Sequence, residues 1–218
     1  MKKLVIFDLD GTLLNTISDL AKSTNYALKQ CGFPEHMTEA YNYFVGNGIN
    51  KLFERALPEA VRTSENIIRM RHFFLEHYTK NNTCLTVPYQ GITELLENLQ
   101  QKGIALAVAS NKYQEGTEKL VRYYFADIAF SVILGQRDGI SVKPDPTIVN
   151  EILDIVGVSK EETLYVGDSG VDMQTATAAG VFSIGAAWGF RTRRELEENG
   201  ARYIANSPDE ILSLTENF

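Results

Sequence analysis

Short, continuously apolar runs alternate with amphipathic ones along most of the chain. Residues 3–7, 104–109, 132–134, 163–166, 181–184 and 202–205 are apolar and rich in β-branched side chains, the character of strands buried on both faces. Residues 92–101, 117–124, 147–156, 172–179, 193–198 and 209–214 carry helical spacing. Gly103, Gly157, Gly180 and Gly200 stand just past four of these helical stretches, where helices commonly end. Strands that alternate with helices over short connections predict a parallel sheet covered on both sides.

One stretch breaks the alternation. From Thr16 to about Asn82 the pattern is helical and no strand is evident. Ile17, Leu20, Ala21, Thr24, Leu28 and Cys31 follow the i, i+3, i+4 spacing of one helix face, with Thr16 in the N-cap position. Residues 49–57 and 64–78 read as further helices. The expected fold class is therefore α/β, a Rossmann-like doubly wound parallel sheet with a small all-α domain inserted after the first strand. Residues 1–15 and 84–218 would form the core, and residues 16–83 the insertion, with a hinge near Asn15 and Pro88. No internal repeat or low-complexity linker is present.

Polar residues end the buried strands in an ordered way. The first stops at Asp8-Leu9-Asp10-Gly11-Thr12, another at Ser110-Asn111-Lys112, and a third at Asp168, with Asp172 one helical turn later. The carboxyl ends of parallel strands share one edge, and ligands bind there. Four carboxylates on one rim repel each other unless a cation sits among them. An all-oxygen donor set favours a hard divalent ion, and an incomplete protein shell suits Mg²⁺. Gly11 removes a side chain where backbone must approach a ligand, while Thr12 and Ser110 add hydroxyls. Lys143, just before Pro144-Asp145-Pro146, puts a cation on a stiffened loop. Carboxylates, metal, lysine and hydroxyls together describe phosphoryl transfer.

Composition narrows the partners. The chain has 218 residues, with 21 Lys+Arg against 28 Asp+Glu and a formal charge of −7, which speaks against a basic nucleic-acid surface. The apolar run after Met1-Lys2-Lys3 stops at Asp8, too short for a signal peptide, and no stretch reaches the ~18 apolar residues of a membrane span. Cys31 and Cys84 lack metal spacing or a partner motif, which points to a reducing, cytoplasmic setting. His36, His72 and His77 show no ligand spacing. Asp-x-Asp-Gly also opens calcium loops, but here a strand precedes it and Thr12 and Leu13 occupy later positions.

Asp8-Leu9-Asp10-Gly11-Thr12-Leu13, Ser110, Lys143 and Gly167-Asp168-Ser169-Gly170-Val171-Asp172 resemble, in order, the four motifs of the haloacid dehalogenase superfamily of phosphatases. The resemblance spans the chain, and the helical insertion falls where that family carries its cap. It implies Asp8 as nucleophile and Asp10 as acid and base. Ser110, Asn111, Gly11 and Thr12 would hold phosphate oxygens, and Lys143 would stabilise their charge. Mg²⁺ would be bound by Asp8, the Asp10 carbonyl and Asp168, with Asp172 as a further ligand or a supporting group. Asp at position 10 favours phosphate esters over dehalogenation and phosphonate hydrolysis.

Within the insertion, Val45-Gly46-Asn47-Gly48, Leu52 and Arg55-Ala56-Leu57 are similar to the cap of phosphoglycolate phosphatases. Pro88-Tyr89-Gln90-Gly91, Asn111-Lys112 and Trp188-Gly189-Phe190 match the same subgroup. Ser110 replaces its usual Thr, and Asn15-Thr16 its common Asp-Ser. The turn Gly46, Asn47, Gly48 together with Lys51 or Arg55 is expected to read the substrate beyond its phosphate. The implied partner is a small phosphorylated molecule, 2-phosphoglycolate first, acted on by a monomer or weak homodimer without nucleic acid or membrane. A phosphotransferase such as a sugar-phosphate mutase, or a pyrophosphatase, would use the same motifs. A non-catalytic binding module is a further alternative.

Overall fold

A computed structural model describes residues 2–217. In chain order the elements are β1 (Leu4–Phe7), β2 (Leu14–Asn15), α1 (Ile17–Cys31), α2 (Tyr41–Phe44), α3 (Ile49–Ala56), α4 (Ser64–Asn81) and β3 (Val87–Pro88). They continue with α5 (Ile92–Gln101), β4 (Ala105–Tyr113), α6 (Gln114–Tyr124), β5 (Phe130–Gln136), α7 (Thr147–Val156) and β6 (Thr163–Gly167). The last are α8 (Gly170–Ala179), β7 (Phe182–Ala186), α9 (Arg193–Glu198), β8 (Tyr203–Ala205) and α10 (Asp209–Asn217). Six strands form one sheet in the order β5-β4-β1-β6-β7-β8, with every neighbouring pair parallel. The strand order reverses between β1 and β6, so a crevice opens at their carboxyl ends.

Alternate residues of β1 serve opposite faces of the sheet. Val5 and Phe7 pack in one layer with Leu95, Leu120 and Ile211. Leu4 and Ile6 pack in the other with Ile148, Ile152 and Ala176. Helices α1–α4 bury a third apolar cluster around Leu20, Phe53, Phe74 and Tyr78. Among the described residues, no helix is long and apolar enough to cross a membrane.

Several local features differ from the sequence expectation. The strand expected at 104–109 runs on to Tyr113, which pairs with Gln136 after a register shift beyond Ala109. Its extension carries Ser110, Asn111 and Lys112, polar yet buried, and polarity alone reads as a strand end. Helix α8 begins at Gly170 because Ser169 and Asp172 form a reciprocal capping box. Thr16 precedes α1, but its side chain makes no capping bond and its hydroxyl is buried without a partner. The two-residue strands β2 and β3 are too short for the sequence pattern to mark. They pair antiparallel, Leu14 with Pro88 and Asn15 with Val87, and join the two chain crossings beside the helical unit.

Candidate active site

Lys143 organises the crevice. Its Nζ donates to Asp8 Oδ1 at 2.9 Å, Asp172 Oδ1 at 2.7 Å, the Ala109 carbonyl at 2.8 Å and Tyr165 Oη at 3.0 Å. The end of β1 supplies Asp8, β6 supplies Tyr165, and the first turn of α8 supplies Asp172. Tyr165 donates its hydroxyl to Asp172 Oδ1 at 3.0 Å. Asp172 Oδ2 accepts from the Ser169 amide at 3.1 Å and its hydroxyl at 2.6 Å. The capping box of α8 therefore also aims a carboxylate at the lysine.

Asp168 is held by backbone. Its Oδ2 accepts the Phe190 amide at 2.7 Å, and Gly11 passes against the same oxygen. Gly11 has a φ of +95°, and a Cβ there would stand 2.2 Å from Asp168 Oδ2, so only glycine fits on both counts. Trp188 Nε1 donates to the Thr12 carbonyl at 3.0 Å, which ties the 188–190 loop to the turn after β1.

One oxygen each from Asp8, Asp168 and Asp172 lie within 4.8 Å of one another, all from buried residues. Burial pushes the Asp8 carboxyl up to about 7; Lys143 pulls against this, while Asp172 and Asp10 add to it. Burial, then Asp172 and Asp8, raise Asp168 well above the usual carboxylate range. Burial alone would lower the Lys143 ammonium, but Asp172 and Asp8 outweigh it and hold it well above its ordinary value. Three carboxylates against one ammonium leave an excess of negative charge that a divalent cation would neutralise. The donors are all oxygen, and the buried Thr12 hydroxyl has no protein partner. The residues present thus fit a hard metal ion with a phosphate beside it.

Asp10 stands higher in the crevice, its side chain 12% exposed, with Lys112 Nζ at 3.1 Å from both of its oxygens. Ser110 is buried, and its Oγ accepts the Lys112 amide at 3.2 Å. Asn111 uses its amide internally. It accepts from the Lys143 amide at 2.9 Å and donates to the Lys143 carbonyl at 3.1 Å and the Gly46 carbonyl at 3.0 Å. Asp8, Asp10, Ser110 and Asn111 line a narrow cavity shared with Gly46 and Gly48.

Asn47, Lys51 and Arg55 are not brought to that cavity. Lys51 is exposed and pairs with Glu54 at 2.6 Å. Arg55 folds back from α3 onto the end of α2 and the turn after it, donating to the Tyr43 and Phe44 carbonyls and to Asn47 Oδ1 at 2.8 Å. Conversely, Tyr165 enters the site without being singled out from the sequence, while Lys112 and Phe190 enter with roles that their subgroup resemblance did not specify. Lys112 has two signals in the sequence, its place beside Ser110 and Asn111 in the polar break and the Asn111-Lys112 resemblance.

The model of the haloacid dehalogenase-like hydrolase family matches residues 5–186. A phosphoglycolate phosphatase of Aquifex aeolicus is 31% identical over 215 residues, 99% of this chain and 97% of that protein. One from Aliivibrio fischeri is 33% identical, over 97% of this chain and 92% of that protein. The crystal structure of a candidate phosphoglycolate phosphatase from Lactobacillus delbrueckii subsp. bulgaricus superposes with a TM-score of 0.91. It is 33% identical, and the match covers 99% of both chains.

Proposed function

The chain belongs to the haloacid dehalogenase-like hydrolases, and from that premise we propose that it hydrolyses a small phosphate monoester, 2-phosphoglycolate, with Mg²⁺ as cofactor. The observation that carries this reading is Lys143 bridging Asp8 and Asp172 beside Asp168. A nucleophilic carboxylate, a fixed cation and an acidic metal cradle meet there at one sheet edge. Asp8, Asp168 and the Asp10 carbonyl would hold the ion, with Asp172 close by and both its oxygens already accepting hydrogen bonds. When bound, Mg²⁺ supplies charge neutralisation for the phosphate oxygens.

In this reading Asp8 attacks phosphorus and forms an aspartyl-phosphate as the ester oxygen departs. Asp10 gives that oxygen a proton and later takes one from the water that hydrolyses the intermediate. Lys143 orients Asp8 and offsets the charge of the transferring group. Ser110 and Thr12 offer hydroxyls to its oxygens, and Asn111 fixes the Lys143 backbone. The helical unit, residues 16–83, acts as a cap over the crevice, with residues 1–15 and 84–218 as the catalytic core. The unpaired cysteines Cys31 and Cys84 suit a cytoplasmic enzyme.

Release of inorganic phosphate from 2-phosphoglycolate tests this directly. Turnover is expected with Mg²⁺, lost on chelation, and reduced by at least roughly a thousandfold in Asp8→Asn. Chelator-insensitive hydrolysis, or an active Asp8→Asn protein, would overturn it.

A further inference from the structure

The cavity between the sheet edge and the helical unit holds about 50 Å³, and among the described residues lining it Lys112 is the one cation. Lys143 is taken up by Asp8 and Asp172, while Lys51 and Arg55 are engaged elsewhere. The Lys112 side chain is 4% exposed. Its Nζ lies within hydrogen-bond distance of both Asp10 oxygens, which leaves capacity for a further acceptor. Its Nζ also lies 4.9 Å over the Tyr78 ring. Tyr78 lines the same cavity, is fully buried, and its hydroxyl has no hydrogen-bond partner. Buried donors are ordinarily satisfied, so an orphan beside a cavity points to a ligand atom.

The other walls constrain what that ligand is. Leu20, Ile49, Leu52 and Phe74 face the cavity and give the hydroxyls of a sugar no partner. If Asp10 serves the ester oxygen, a cation 3.1 Å from the Asp10 carboxylate sits beside that oxygen. A carboxylate joined to the ester oxygen through one methylene reaches such a cation. Resting on the phosphatase reading above, we propose that Lys112 and Tyr78 form the receptor for a carboxylate on the departing alcohol. They would thereby select short acid phosphates over neutral esters and sugar phosphates.

The test compares kcat/KM for 2-phosphoglycolate with that for 2-hydroxyethyl phosphate, an ester of equal length whose far end is neutral. Taking the ratio removes any loss both substrates share through Asp10. Wild-type protein is expected to prefer the charged ester. Lys112→Met is expected to lower that preference by roughly tenfold to a hundredfold, the range for a lost charged hydrogen bond. Tyr78→Phe keeps ring and fold and is expected to lower it by roughly three- to tenfold. It decides the matter if Lys112→Met does not fold.

An unchanged preference in the folded variants overturns the inference. So does wild-type protein that hydrolyses an aryl phosphate without favouring the charged ester, an outcome that leaves the phosphatase reading standing. Protein that hydrolyses none of the three esters overturns the phosphatase reading itself.

Discussion

At the Asp168 carboxylate the backbone comes closer than a side chain would allow. A Cβ on Gly189 would stand 2.2 Å from Asp168 Cβ and 2.5 Å from the Gly11 carbonyl oxygen. Gly189 is not among the left-handed glycines, so alanine there meets a contact and no backbone penalty. Gly189→Ala is expected to cut aryl phosphate turnover by about a hundredfold, the usual cost of a misplacement near 1 Å. The metal titration should shift to higher Mg²⁺; a wild-type titration would mean the 188–190 loop yields instead. At this scale legibility followed polarity. Asp8, Asp10, Ser110, Asp168 and Asp172 interrupt or follow apolar runs, and the structure gathers them at one edge. Gly189 contributes space and Phe190 an amide, neither of which polarity marks. Lys51 and Arg55 carry the right charge, but only the folded 43–47 segment shows that Arg55 turns back on it.

Among the elements, the helix from Ile17 to Cys31 and the helices at 92–101, 147–156 and 193–198 match their sequence periodicity residue for residue. The first three have an apolar stripe and a sharp end, as at Gly157, the C-cap of α7, whereas α9 buries only Leu196. The pieces that were not legible are short. Helix α2 spans four residues, and β2 and β3 two each, too few for a period to register. What stabilises the junction they form is a buried carboxylate from another element. Asp19 on α1 accepts the Leu85 amide at 2.9 Å and the Thr86 amide and hydroxyl at 2.8 Å. It thereby anchors the chain where it leaves the helical unit. Asp19→Ala strands those donors in a buried place and is expected to destabilise the protein by about 3 kcal/mol. Denaturant unfolding measures this, and a loss below about 1 kcal/mol would show that water replaces the carboxylate.

Taken as a whole, the molecule carries a formal charge of −7, an awkward balance for binding a phosphate dianion. The conflict is met locally, by Lys143 and the cation its carboxylates invite, so global charge speaks to solubility and placement to chemistry. Access is the remaining problem, since the cavity lies between the sheet edge and the helical unit. Two core residues hold the 45–46 segment over it. Asn111 donates to the Gly46 carbonyl at 3.0 Å, and Arg191 Nη2 to the Val45 carbonyl at 2.9 Å. The Arg191 guanidinium also lies 5.4 Å over the Tyr43 ring and pairs with Glu195 at 3.2 Å. Substrate entry is expected to open these contacts, while the paired β2 and β3 remain. Arg191→Met removes the charged bond and keeps a long apolar side chain. A loss of about 1.5 kcal/mol of closure corresponds to roughly tenfold more opening. Hydrogen exchange at the amides of residues 45–48 should accelerate by that factor, while α7 and α8 stay protected. KM for 2-phosphoglycolate should rise more than kcat falls, because Asp8 and Lys143, the proposed reacting groups, are untouched. Unchanged exchange would leave Asn111 and the apolar seam as what keeps the unit closed.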